Sequence, residues 1–238
     1  MSTILITGAT SGIGKTTAQY LSEKGYNLVV VGRDAEKTKY LSEKIKNCVG
    51  YYILDLTDCL RIDECFSDIK KKGIKLNGLV HCAGFEGLHL PVRMIQMDAI
   101  DSLMALHFKS FVEMCKCFYQ RQISEDCSSI IAVSSLAAEL CNKNSLDYSA
   151  SKAALNCAVK VMAKEFIKRK IRVNAILPGY VNTQMNDDLG EYIDINAIQP
   201  LGLIDSIQIA YLIELLLSEK ARFITGACLP ISGGFASV

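Results

Sequence analysis

Short apolar runs alternate with longer amphipathic stretches along almost the whole chain. The runs at 3–7, 27–31, 49–54, 78–81, 129–134, 172–176 and 227–230 read as strands, many of them rich in Val and Ile. The stretches at 14–24, 34–46, 60–72, 100–121, 147–168 and 206–217 carry helical spacing. Alternation of this kind predicts an α/β fold, a doubly wound parallel sheet of about seven strands with helices on both faces. The strands are continuously apolar, as expected of strands covered on both sides. Residues 178–200 form the longest stretch without firm pattern. A loop of that length in a compact domain predicts a substrate lid, placed at about 182–200.

Composition narrows the class of function. With 238 residues, half of them hydrophobic, and only four Pro, residues 1–238 read as one nucleotide-binding-sized domain without linker or repeat. A formal net charge of +1 gives no electrostatic reason to expect nucleic acid or a membrane surface as partner. No apolar run approaches the ~18 residues that span a bilayer. The chain runs directly into the strand-like 4–6 with no basic-then-apolar leader, so a cytoplasmic protein is expected. The ten cysteines stand at 48, 59, 65, 82, 115, 117, 127, 141, 157 and 228, with no CxxC pair. Neither a metal site nor a disulfide framework is indicated, and mostly buried, reduced thiols are expected.

The chemistry is carried by Tyr148 and Lys152, four residues apart on a predicted helix and so on one face. An ammonium beside a phenol favours the phenolate, which predicts a Tyr148 pKa below its usual 10 and a proton donor usable near neutral pH. Gly8, Gly12 and Gly14 follow the first strand and open the first helix, where backbone amides and the helix dipole favour a diphosphate. At the end of the second strand, Arg33 suits the 2′-phosphate of NADP(H), the favoured cofactor. Asp34, one residue further, either caps the next helix or turns the preference toward NAD(H).

Together with Asp55-Leu56-Thr57, His81-Cys82-Ala83-Gly84, Ser135, Arg172-Val173-Asn174, Pro178-Gly179 with Thr183, and Phe223-Ile224-Thr225-Gly226, these residues resemble the short-chain dehydrogenase/reductase superfamily over essentially the whole chain. Within it the ending, from Pro200 to Gly234, looks most like the 3-oxoacyl-carrier-protein reductase and glucose dehydrogenase type. The resemblance implies a Rossmann-type fold and transfer of hydride between NAD(P) and a carbonyl or alcohol. It implies that Ser135 holds the substrate carbonyl, Tyr148 donates the proton, and Lys152 serves Tyr148 and the nicotinamide ribose. It also implies a cofactor set of Gly8, Thr10, Ser11, Gly12, Ile13, Gly14, Arg33, Asp55, Leu56, Cys82, Ala83, Gly84, Pro178, Gly179, Val181 and Thr183, with Tyr148 and Lys152.

Two positions depart from the family pattern. His81-Cys82 stands where the family usually has Asn-Asn, and His81 reads as a strand-end residue with local hydrogen bonds. His107 stands about where an Asn normally holds a water that links the lysine to bulk solvent. His107 is expected to hold that water and so joins the candidate catalytic residues; a core or interface role is the alternative. Substrate is less constrained. Residues 85–90, 136–140 and 182–198 are expected to line the pocket, with Met185, Leu189, Tyr192 and Ile193 as apolar anchors for a carrier-protein- or CoA-linked 3-oxoacyl thioester. Glu86 and Glu139 would instead suit a sugar or secondary metabolite, and a cofactor-binding homologue without turnover is a third reading. Met104, Phe108, Phe111, Met114, Phe118, Met162 and Phe166 exceed one sheet-facing stripe and are the expected partner-facing surface of a homodimer or homotetramer, which the resemblance also implies.

Overall fold

The computed structural model describes residues 1–183 and 194–235. Strands β1 (Thr3–Thr7), β2 (Asn27–Gly32), β3 (Cys48–Ile53), β4 (Leu76–His81), β5 (Ser124–Val133), β6 (Arg172–Pro178) and β9 (Cys228–Ile231) form one parallel sheet in the order β3-β2-β1-β4-β5-β6-β9. The period-two geometry of a strand sends neighbouring side chains to opposite faces. Leu5, Val29, Leu79, Ile130 and Val173 therefore meet one set of helices: α3 (Cys59–Lys71), α5 (Ser110–Phe118) and α7 (Leu146–Phe166). Ile4, Ile6, Val30, Val80, Ile131 and Ile176 meet α1 (Gly12–Glu23), α2 (Ala35–Lys44) and α9 (Ser206–Leu217). Both faces are thus dry, which is why those strands can be apolar throughout. Helix starts follow local chemistry: Asp34 accepts from Lys37 N at 2.9 Å and Asp58 from Leu60 N at 3.1 Å.

The chain winds outward from β1 to β3, then crosses back to lay β4 on the other side of β1. Loops leaving β1 and β4 consequently diverge at the carboxyl edge of the sheet, the point where doubly wound folds open a crevice.

Several expectations are corrected. β3 is an edge strand whose residues alternate between half-buried and exposed, because only β2 pairs with it. β5 begins at Ser124, earlier than expected. The helix expected over 100–121 is α4 (Met97–Leu103), a π-helical turn (Met104–Lys109) and α5 in succession. A short pair, β7 (Val181–Asn182) with β8 (Ile204–Asp205), has no clear hydrophobic signature. Phe111, Met114, Phe118, Met162 and Phe166 do not face outward; they are buried in the core between sheet and helices, with Phe108 packed against them and Met104 half-buried. All ten cysteines are free thiols, but only Cys65, Cys115 and Cys117 are buried, and Cys127, Cys141 and Cys157 are exposed. Among the described residues, no helix is long and apolar enough to cross a membrane.

Candidate active site

At the end of β1 the backbone must reverse into α1 within a few residues. Gly8 and Gly12 both adopt positive φ, +61° and +46°. A Cβ on Gly14 would lie 2.2 Å from the Gly8 carbonyl oxygen, so the turn closes only with glycine there. Ser11 does not cap α1 with its side chain and the first turn holds no acidic residue, so the leading amides of that helix are left for an anion. Thr10, Ser11 and Ile13 lie on this same turn, and Ile13 reaches the adjoining cavity.

That cavity has a volume of about 380 Å³ and opens at the carboxyl edge of the sheet. Its wall brings together Ser135, Tyr148, Lys152 and His107 with Cys82, Gly84, Pro178, Gly179, Val181 and Thr183. Ser135 stands two residues beyond the end of β5, and its hydroxyl accepts from Ala137 N, the first residue of α6 (Ala137–Leu140), at 3.1 Å. Tyr148 and Ser135 share the wall of the cavity, and Ser135 favours the ionised phenol. Lys152, one turn further along α7, is buried and donates from Nζ to the Val133 carbonyl at 3.0 Å. Its ammonium lies 5.7 Å from the Tyr148 ring centroid.

The electrostatics correct one expectation. Tyr148 is not lowered: burial pushes the phenol up to about 12, Ser135 opposes this, and the Glu86 carboxylate adds to it. Burial also draws Lys152 down from 10.5 to about 8, with Cys82 opposing. Desolvation is the largest influence on both groups.

Arg33, Asp55, Leu56 and Ala83 lie outside the cavity wall, on loops along the same carboxyl edge. Asp55 accepts from Thr57 N at 2.9 Å and Thr57 Oγ1 at 2.8 Å, bonds that hold its carboxyl below the usual range with help from Arg33. Leu56 is a core residue. A Cβ on Gly32 would come within 2.3 Å of Thr38 Oγ1, so no acidic side chain fits at the last position of β2. Asp34 is the cap of α2 and pairs with Lys37 at 3.7 Å.

Both unusual histidines are buried next to the site. His107 Nε2 accepts from Phe85 N at 3.3 Å, so its Nδ1 carries the hydrogen and donates to Ser151 Oγ at 2.8 Å. Ser151 in turn donates to the Tyr148 carbonyl at 2.7 Å. Thr7 Oγ1 accepts from Cys82 N and Ala83 N, each at 3.2 Å, and its own hydrogen goes to His81 Nδ1 at 3.1 Å. His81 therefore carries its hydrogen on Nε2, toward the Leu106 carbonyl and Ser110 Oγ. Burial holds both rings far toward the neutral form, with His81 down at about 3.

The family model described as enoyl-(acyl carrier protein) reductase matches residues 8–236. The chain belongs to the short-chain dehydrogenase/reductase superfamily. It is 32% identical over 239 residues to the 3-oxoacyl-[acyl-carrier-protein] reductase FabG of Rickettsia prowazekii, covering 99% of this chain and 97% of that one. Among solved structures it is similar to ElxO with NADP bound, at 27% identity and TM-score 0.90 over 100% of this chain and 99% of that one. It is equally similar to 4-hydroxyisoleucine dehydrogenase complexed with NADH, at 26% identity and TM-score 0.90 over 100% of both. Membership makes the protein an NAD(P)-dependent oxidoreductase acting on CH–OH or C=O groups.

His89 falls within the 85–90 stretch expected to line the pocket, and the cavity also includes residues for which the sequence offered no role: Asn142, Lys143, Tyr180 and Phe235. Tyr180 and Phe235 stack at 5.5 Å, and His89 pairs with Glu86 at 2.8 Å. Nothing in their local spacing marks them. The expected lid anchors Met185, Leu189, Tyr192 and Ile193 lie outside the described residues. Within the described part of that stretch, α8 (Ile195–Ile198) leads to Gln199, which is fully buried and bonds the backbone of Tyr180 and Gly202.

Proposed function

We propose that this protein reduces the ketone of a 3-oxoacyl thioester, carried on an acyl carrier protein or on CoA, with NADPH as the reductant. The observation that carries this reading is the convergence of Ser135, Tyr148 and Lys152 on one cavity beside a glycine turn whose helix amides are uncapped. Reduced nicotinamide supplies the hydride when bound. Ser135 and Tyr148 together hold the substrate oxygen. A phenol raised to about 12 keeps its proton at neutral pH, so Tyr148 is placed to give it to the oxygen as the carbon is reduced. Lys152 offers a cation to the ribose side of the site and, bound to Val133, keeps one orientation.

The preference for NADPH is supported by Arg33, by Gly32 excluding an acidic side chain, and by Asp34 being taken up in a helix cap. The thioester is supported by likeness to the Rickettsia enzyme and by apolar Phe85, Leu136 and Phe235 in the cavity wall. Glu86 and Asn142 on the same wall favour a second reading, a hydroxylated substrate such as a sugar. A cytoplasmic location accords with the fatty-acid-type chemistry. A dimer or tetramer would use the outer face of α7 and the turn that follows it, where Leu146, Val161 and Ile167 are exposed.

The test is NADPH oxidation with acetoacetyl-CoA, set beside a panel of sugars and polyols with NADP. Tyr148→Phe should lower turnover by about 10²–10⁴-fold while NADPH still binds. Native-rate turnover by Tyr148→Phe sinks the mechanism, and turnover confined to the polyols sinks the thioester.

A further inference from the structure

Residues 82–85 leave β4 between the glycine turn and the substrate wall, and their backbone amides are held from two sides. Cys82 N and Ala83 N donate to Thr7, which is backed by His81. Phe85 N donates to His107, which is backed by Ser151 on the catalytic helix. The two rings are in opposite tautomers: His107 is set by the Phe85 amide, which can only donate, and His81 by the Thr7 hydroxyl, which accepts from two amides and gives its own hydrogen to the ring. His81 also faces Leu106 and Ser110, which flank His107 in the chain, so the two rings brace the same π-helical turn. Between the clamped amides lies Gly84, where a Cβ would come within 2.9 Å of His107 Nε2 and 3.5 Å of Lys152 Nζ. The segment is therefore packed directly against both a clamping ring and the candidate catalytic ammonium.

We infer that His107 and His81 are positioning residues that clamp segment 82–85 through fixed tautomers, and that the working atom of His107 is the Nε2 lone pair on the Phe85 amide. Both ring nitrogens of His107 are engaged by protein groups, which leaves it a fixed hydrogen-bond strut and not a proton carrier. Its contribution to catalysis rests on the proposed reading that Gly84 belongs to the cofactor site.

Two amide side chains separate the possibilities. In His107→Gln the side-chain oxygen can stand where Nε2 stands; in His107→Asn the amide reaches only the place of Nδ1. Amide hydrogen exchange of the free protein reads the clamp without cofactor. The Phe85 amide should exchange about tenfold faster in His107→Asn, the size expected for one buried donor without an acceptor, and remain near native in His107→Gln. The dissociation constant for NADPH, by calorimetry, should rise in the same order. Thermal unfolding checks that the variants share one fold. If His107→Asn does not fold, Ser151→Ala tests the same link: Nδ1–H loses its acceptor, the other tautomer competes, and Phe85 protection falls. Equal exchange at Phe85 in all variants overturns the inference, as does native behaviour of His107→Asn with loss in His107→Gln. Native protein that fails to bind NADPH would defeat the proposed cofactor while the exchange experiment still decides the clamp.

Discussion

Replacing Lys152 by Met should make the free protein more stable at neutral pH. The ammonium is buried, donates to one carbonyl, and has its pKa drawn from 10.5 to about 8 by desolvation. A drop of that size means that holding the charged form in the fold costs roughly 3 kcal/mol at pH 7. Methionine has nearly the same length and no charge, so it removes that cost. It leaves the Val133 carbonyl short of one donor, a loss of about 1 kcal/mol. The net expectation is a gain of about 2 kcal/mol. The sign with pH follows from proton uptake. Between pH 8 and 10.5 the unfolded chain holds the lysine proton more tightly than the folded one, so native stability rises with pH through that window. The advantage of Lys152→Met should therefore be greatest below pH 8 and fade toward pH 10.5. Urea unfolding of both proteins at pH 7 and pH 9.5, at one protein concentration, measures it. A variant less stable than native at pH 7, or a gain unchanged at pH 9.5, refutes the reasoning.

Other expectations follow from single contacts. Arg33→Ala should weaken NADPH far more than NADH, and equal losses in the two titrations would remove Arg33 from the 2′-phosphate. Gly14→Ala forces a Cβ to within 2.2 Å of the Gly8 carbonyl, so the turn must shift; a stability loss of about 1–3 kcal/mol is expected by thermal unfolding, and a native midpoint would show the turn is soft. Glu86→Gln removes one of the influences that raise Tyr148, so the Tyr148 step of the alkaline pH–rate profile, which lies above that of Lys152, should move to lower pH. A profile that stays put or moves upward contradicts that influence.

What the sequence made legible was local. β1, the glycine turn and the Tyr148–Lys152 spacing depend on neighbours a few residues away, and the structure places them on one edge as the pattern predicts. The sign of the Tyr148 shift was not legible, because it is set by burial, to which the Glu86 carboxylate adds, against the His107 ring, 5.6 Å away, which the fold brings in from the π-helical turn. Spacing shows that two charges can meet; it does not show how much water they lose. Phe111 and Phe118 looked surplus to one helical stripe, yet the wide sheet absorbs them. Cys127, in the irregular first part of β5, and Cys141, at the end of α6, are exposed at positions of positive φ, +64° and +50°, where no apolar periodicity applies. The two-residue strands β7 and β8 are too short to show a period at all.

The π-helical turn at Met104–Lys109 behaves as a one-residue insertion into an otherwise regular helix running from Met97 to Phe118. Loss of any one residue from it would restore the ordinary helical path and, in doing so, rotate everything on one side by about 100° relative to the other. His107 and Ser110 could then no longer reach Ser151 and His81 at the same time. Insertions and deletions are usually absorbed at loop tips, but this helix is a place where chain length itself is under constraint. Among descendants of this chain, the exposed side chains along 97–118 can drift individually, whereas a change in the number of residues would have to be accompanied by replacement of both histidines.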